Sequence, residues 1–191
     1  MIKKMSRLAV FSMLLCSCLP ALANGNLIND IYSHAILRGG ENMSTGFVAL
    51  SKMNLDETVL GKVKENYTAE KEPERQYNYV YLLSKKTQEE EYITAFISKS
   101  SDNIPALLEN KTKWDSVESP FYKHLANYAL TNELALKLLF KLGGMAEGEM
   151  SSIVAKDLAS IQKANVDYFN KTAKLLELSE SDIKKLLEKS S

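Results

Sequence analysis

Apolar side chains recur at spacings of three and four residues along most of this chain, and helix-capping residues separate the stretches that have this spacing. Leu27–Ile36 and the group Tyr92, Ile93, Phe96 and Ile97 are two examples. This period is typical of amphipathic α-helices. Helices joined by loops of a few residues pack against their sequence neighbours. We therefore predict an all-α fold, either a bundle or a short solenoid-like stack of antiparallel helical hairpins.

The predicted helix starts carry residues whose side chains accept hydrogen bonds from unpaired helix amides. Ser119-Pro120 is the clearest, because serine caps a helix and proline suits its first position. The other predicted starts are Asn54, Pro73, Thr87 with Glu90 as a capping box, Asp102 or Asn103, Thr131-Asn132, and Ser179 with Asp182 as a capping box. Glycine pairs at Gly39-Gly40 and Gly143-Gly144 predict helix ends, and we interpret residues 39–46 as a loop between helices.

Two segments in the second half predict the centre of the fold and a long helix. Leu134–Leu142 is apolar over most of a helix circumference, which is typical of a central helix. From Glu149 to Glu177 the apolar positions keep a 3.6-residue period. That pattern predicts a single long helix of about 28 residues near the C-terminus.

The segment with the most tyrosine is a candidate partner-binding surface. Tyr77, Tyr79 and Tyr81 alternate in a way that also fits a strand, so residues 77–83 are predicted as helix with strand as the alternative. On a helix the three side chains spread over about 200°, so we expect at least one to be exposed. With Tyr92 they form a candidate protein-binding surface; the alternative is a tyrosine-lined boundary of the core.

The first 23 residues have the three parts of a secretory signal peptide. Lys3, Lys4 and Arg7 precede an apolar run from Leu8 to Leu19, and Ala21-Leu22-Ala23 follows. This order predicts export and cleavage after Ala23. Residues 24–191 are then a single helical domain in the periplasm, without a transmembrane segment.

Cys18 offers an alternative fate for the N-terminus. It follows Leu15-Cys16-Ser17, which resembles the lipid-attachment motif of bacterial lipoproteins. Acylation there would anchor the chain to a membrane. Both cysteines precede residue 24, so no disulfide is available to the exported domain.

The charge does not favour a nucleic-acid partner. The chain has 24 basic and 24 acidic residues, and three of the basic ones lie in the signal peptide, which leaves a net charge of −3. Nucleic-acid binding normally shows as a basic patch or a high isoelectric point. We predict a protein partner instead.

The chain contains no motif for a cofactor, a metal or a catalytic site. His34 and His124 are far apart and have no second histidine at helical spacing. The glycines of residues 39–46 lack the Gly-Lys-Ser/Thr ending of a phosphate-binding loop. We expect both histidines at the surface or its boundary, and no cofactor or metal. A serine such as Ser44 or Ser119 beside a histidine and a carboxylate would change that view.

Three hypotheses for function follow. The first is a non-enzymatic protein-interaction module of the periplasm, in its most concrete form an inhibitor or immunity protein that neutralises a toxic envelope-acting enzyme. The second is an envelope assembly factor or a carrier of apolar ligands. The third is a hydrolase whose serine, histidine and acid are dispersed in the sequence. A deep apolar pocket favours the carrier, and a surface displaying tyrosines favours the protein binder.

Overall fold

The computed structural model describes residues 27–36, 40–108 and 118–189, and all regular structure in these ranges is helical. The all-α prediction is confirmed, and residues 77–83 are helix, not strand. The finer arrangement as a bundle or as antiparallel hairpins stays a prediction. The predicted signal peptide, its cleavage site and Cys18 lie outside the described residues.

The chain divides into two compact units, Met1–Glu70 and Lys71–Ser191. The first contains α1 (residues 27–36), α2 (Gly40–Ser51) and α3 (Glu57–Ala69). Its buried side chains include Met43 and Phe47 of α2 and Val63 of α3. The start of α3 is capped by Asp56, whose side chain accepts from the Val59 amide at 2.9 Å, and not by the predicted Asn54. The single domain predicted for residues 24–191 stays a prediction.

The loop predicted for residues 39–46 is wrong, because the chain is helical from Gly40 onward. Gly46 lies inside α2 where α1 crosses it closely. A Cβ placed on Gly46 would lie 2.5 Å from the Cβ of Ala35, a distance that packed side chains do not tolerate. This glycine therefore permits close helix packing and does not end a helix.

The second unit contains the remaining helices of the described chain. They are α4 (Pro73–Thr87), α5 (Glu90–Asp102), α6 (Ile104–Leu108), α7 (Pro120–Ala129), α8 (Glu133–Met145), α9 (Gly148–Ala164), α10 (Val166–Leu175) and α11 (Glu180–Glu188). Helix α8 contacts α5, α7, α9 and α10, which confirms its predicted central place. Gly143-Gly144 does not end it as predicted, because α8 continues to Met145.

Three predicted caps of this unit are confirmed by hydrogen bonds. Ser119 accepts from the Tyr122 amide at 3.0 Å, Asn132 caps α8, and Ser179 with Asp182 forms a capping box. The capping box predicted at Thr87 is wrong. Thr87 belongs to the end of α4, where its hydroxyl donates to the Leu83 carbonyl, and the N-cap of α5 is Glu89.

The single long C-terminal helix is also wrong, because the chain breaks at Asn165. Its backbone leaves the helical region (φ −152°, ψ 85°), and its side chain caps α10 by accepting from the Tyr168 amide at 3.1 Å. Asparagine competes well for such a capping role. The apolar period continues across the break, so the pattern alone did not reveal it. In the described ranges no helix is long and apolar enough to cross a bilayer.

Candidate functional site

An apolar groove in the second unit, which we call the leucine groove, is the candidate site. It runs along α8 and is bounded by the chain that follows α10 and by the end of α5. Its volume is about 440 Å³. The lining residues are Ser101, Leu134, Lys137, Leu138, Phe140, Lys141, Leu176 and Leu178.

The floor and the rim of the leucine groove differ in exposure. Leu138 and Phe140 form a buried floor, whereas Leu134 is 54% exposed and Leu176 is 37% exposed. Single exposed leucines are common on proteins, but two of them above a continuous apolar floor form a patch of the kind that contacts partners. A ligand in this groove would gain apolar burial from both levels.

Two charged residues line the leucine groove, Lys137 and Lys141, and both belong to α8. Lys137 bonds Glu133 at 2.8 Å, and Lys171 of α10 approaches the same carboxylate at 3.8 Å. These lysines hold the pKa of Glu133 below its usual range. Lys141 is exposed, and no ion pair to it is found in the described parts of the chain. The α8 side of the groove is therefore positively charged.

A larger depression of about 530 Å³ lies between α9, α10 and α11. Five of its seven lining residues are polar or charged, and α11 itself has no buried residue. Binding sites are mostly apolar with a few placed polar groups. The leucine groove fits that description better despite its smaller volume.

The predicted tyrosine surface is buried, so its expected exposure is wrong. Tyr77, Tyr79 and Tyr81 are 2%, 1% and 0% exposed, and Tyr92 is 8% exposed. Every residue of α4 from position 77 to position 84 is buried. A helix covered on all sides accommodates tyrosines spread around it, and this is why the angular spread did not force one into solvent.

The phenol rings of this segment form an aromatic core with α5 and α7. Tyr77 stacks on Phe96 and Phe121 at centroid distances of 5.6 and 5.2 Å, and Tyr81 lies 4.5 Å from Phe121. The Tyr77 hydroxyl is paired with Ser100 Oγ at 3.1 Å. Buried tyrosine hydroxyls need such partners, so these residues act as core.

His124, predicted at the surface or its boundary, lies in this core instead. It is 7% exposed and packs against Tyr81, Phe96 and Tyr128. Burial, assisted by the charge of Lys85, lowers the pKa of His124 to about 3. The ring is therefore neutral at physiological pH. His34 is exposed on α1, as expected.

His124 does meet a serine, in a buried contact between α7 and α4. Its Nε2 lies 3.0 Å from Ser84 Oγ, and the Ser84 hydroxyl is also within 3.1 Å of the Tyr81 carbonyl. Which group donates in the His124–Ser84 contact depends on the imidazole tautomer. Neither Ser44 nor Ser119 is that partner, and Ser119 donates to the Leu107 carbonyl.

A second, partly buried polar pair lies between α7 and α9. The Tyr122 hydroxyl donates to Asp157 Oδ2 at 2.6 Å. Burial raises the pKa of Asp157, and burial together with the Asp157 carboxylate raises the pKa of Tyr122 well above its usual range. The pair ties the two helices together. In the described ranges no group of three or more His, Cys, Asp or Glu side chains could hold a metal ion.

Comparisons of the chain with models of protein families, with curated proteins and with solved structures find no match. A functional proposal for this chain therefore depends on its own residues and geometry.

No sequence pattern indicates the leucine groove. Leu134 belongs to the stretch predicted as a central helix, and Leu176 belongs to the predicted long helix. The groove exists because Leu134 lies in the first turn of α8 and because α10 ends at Leu175. Both facts depend on where helices begin and end.

Proposed function

We propose that this chain is an exported, non-enzymatic protein-interaction module that binds its partner through the leucine groove. One observation carries the proposal: the half-exposed Leu134 and Leu176 stand above a buried apolar floor. Full burial of a leucine side chain contributes about 1.5–3 kcal/mol. Covering this rim would supply a useful part of the free energy of a protein complex.

The exposed rim favours a protein over a small ligand as the occupant. Sites for small molecules bury most of the ligand surface, whereas this groove leaves its own leucines in water. A protein partner supplies the missing cover from its side. In its most concrete form, the proposal is that the chain neutralises a toxic envelope-acting enzyme as an inhibitor or immunity protein.

The groove volume also supports one alternative, an envelope assembly factor or a carrier of apolar ligands. About 440 Å³ lies within the usual range of small-molecule sites. An elongated apolar ligand along Leu138 and Phe140 would use the same floor.

Export is part of the proposal. The basic, apolar and small-residue parts of residues 1–23 support cleavage after Ala23 and release into the periplasm, with acylation of Cys18 as the alternative. The intact mass of the protein recovered from fractionated bacterial cells tests this. The mass of residues 24–191 is the expected result, and a full-length mass in the cytoplasmic fraction would contradict export.

Photo-crosslinking in the native host tests the binding surface. A photoreactive phenylalanine analogue replaces Leu134 in one variant and Leu130 in the other. Leu130 is the matched control, because it is 49% exposed and does not line the leucine groove. We expect a discrete protein adduct after illumination of the position-134 variant and much less with the control.

The outcomes separate the hypotheses. A shift in mass by a small apolar molecule at position 134 would support the carrier. Equal protein adducts at positions 134 and 130, or none at position 134, would overturn the groove as the binding surface. Circular dichroism of both variants checks that they are folded.

A further inference from the structure

We propose that the leucine groove accepts an amphipathic helix of the partner protein whose apolar stripe is flanked by carboxylates. This inference rests on the function proposed above and adds the chemistry of the bound segment. The length of the groove and the charges along it support this inference.

The length of the groove fits two turns of a helix. Leu134, Leu138 and Lys141 follow one another at i, i+4 and i+7 on α8, so they share one side of that helix. Seven residues of helix span about 10 Å. We call this side of α8 the α8 wall. A partner helix that lies along the α8 wall would place apolar side chains at i, i+3 or i+4, and i+7 over the floor, as helices do when they bind in apolar grooves.

The lysines along α8 favour acidic residues beside the apolar stripe of the partner helix. Lys137 and Lys141 lie one turn apart on the wall, and Glu133 is shared between Lys137 and Lys171. Two lysines thus share one carboxylate, whereas Lys141, which lines the groove, has no ion pair in the described parts of the chain. A carboxylate of the partner would find an available cation there.

Two acids lie close to other parts of the groove, Asp102 at the end of α5 and the exposed Glu177 between the lining residues Leu176 and Leu178. The Asp102 carboxylate is 3.4 Å from Ser101 Oγ, and Ser101 lines the groove where α5 ends. Asp102 itself does not line it. We therefore place the preference for acidic flanks on the α8 wall and not at the α5 end.

A peptide-display selection tests this preference. The library holds helical peptides of about four turns, with a fixed leucine stripe and with flanking positions drawn equally from Glu, Lys and Gln. It is selected on the chain comprising residues 24–191, on its Lys141→Glu variant and on the control variant Lys163→Glu. Lys163 is an exposed lysine of α9 outside the groove.

We expect Glu to be enriched over Lys at the flanks by about fivefold on the wild-type chain, in keeping with exposed ion pairs. The enrichment should reverse toward Lys on the Lys141→Glu variant and persist on the Lys163→Glu variant. It should also weaken in high salt, since screening acts strongly on exposed pairs.

The contradicting results are distinct from a failure of the proposed function. Equal enrichment of Glu, Lys and Gln, or no bound peptides, overturns the acidic-helix inference even if crosslinking at position 134 finds a protein. A fluorescent apolar dye bound in the leucine groove serves as a probe for small ligands. If dodecanoate displaces this dye and the selection yields no peptide, the occupant is a small apolar anion and the acidic-helix inference is overturned too. Failure of both experiments rejects the groove itself.

Discussion

The tyrosines of α4 are buried and the rim leucines of the groove are exposed, which is the reverse of what their residue types suggest. Tyrosine is a common recognition residue, yet Tyr77, Tyr79 and Tyr81 are all buried. Leucine is a common core residue, yet Leu134 is more than half exposed at the start of a central helix. Residue type therefore says less about exposure than the position of the residue within its element.

The two regions differ in whether their polar groups are hydrogen-bonded and in whether their apolar side chains are covered by a neighbouring helix. In the aromatic core, the Tyr77 hydroxyl pairs with Ser100, and the Tyr128 hydroxyl donates to the Ser84 carbonyl at 3.1 Å. Paired hydroxyls remove the main cost of burying tyrosine. At the groove, the end of α10 leaves apolar side chains without a covering helix.

Truncation of the aromatic core should have the largest effect. Tyr81→Ala removes a fully buried ring that packs against Phe96, Phe121 and His124. We expect the free energy of unfolding to fall by about 3–5 kcal/mol. Urea unfolding followed by circular dichroism measures it. Leu134→Ala is the groove counterpart and should cost less than about 0.5 kcal/mol; equal losses would abolish the distinction between core and groove.

Acid should weaken the aromatic core through His124. The folded state favours the neutral ring, with a pKa of about 3 against 6.5 for the reference histidine. Stability from this residue is therefore complete above about pH 6.5 and is lost as the pH falls toward 3. The loss is about 1.4 kcal/mol per pH unit in that window, so about 3 kcal/mol should disappear by pH 4.5.

Comparison of the wild-type chain with His124→Gln isolates this contribution from other titrating groups. The variant starts less stable, but its unfolding free energy should fall less between pH 7 and pH 4.5. His34→Gln, at an exposed histidine of α1, is the matched control. Parallel pH curves for wild type and His124→Gln would show that the buried histidine does not resist protonation.

The pair between α7 and α9 should give an intermediate effect. Tyr122→Phe leaves the partly buried Asp157 carboxylate without its hydroxyl donor, which should cost about 1–3 kcal/mol. Asp157→Asn keeps an acceptor for the hydroxyl and should cost less. Thermal unfolding of the two variants compares them, and a larger loss for Asp157→Asn would mean that the carboxylate charge matters more than the hydrogen bond.

A charge on the groove rim should have the smallest effect on stability. Leu134→Lys changes an exposed side chain, so we expect less than about 0.5 kcal/mol in chemical denaturation. The same substitution should abolish crosslinking to a partner from a second position in the groove, such as Leu176. Leu130→Lys is its control and should leave both properties unchanged. A large loss of stability for Leu134→Lys would place Leu134 in the core.

The parts of the fold that local chemistry determines were predictable from the sequence. The caps at Ser119, Asn132 and Ser179 needed only a side-chain acceptor at the right place. Contacts between helices decided the rest. Gly46 and Gly143 both permit close packing of helices, and Gly143 contacts Leu158 of α9 and Leu186 of α11. The sequence of one segment does not distinguish a glycine in this packing role from a glycine that ends a helix.

The candidate site was less predictable than the fold, for a related reason. The predicted surface at Tyr77, Tyr79, Tyr81 and Tyr92 depended on one helix considered alone, whereas its burial depends on every element packed around α4. The leucine groove depends on the position of Leu134 in the first turn of α8 and on the end of α10 at Leu175, and an uninterrupted apolar period conceals that helix end.

Leucine methyl NMR of residues 24–191, titrated with the partner found by crosslinking, shows directly which surface the partner covers. We predict that the methyl signals of Leu134, Leu138, Leu176 and Leu178 shift or broaden, while those of the exposed Leu130 and the core residue Leu125 stay in place. Shifts centred on Leu130, or an unchanged set of groove methyls in the presence of bound partner, would contradict the claim that this groove is the binding surface.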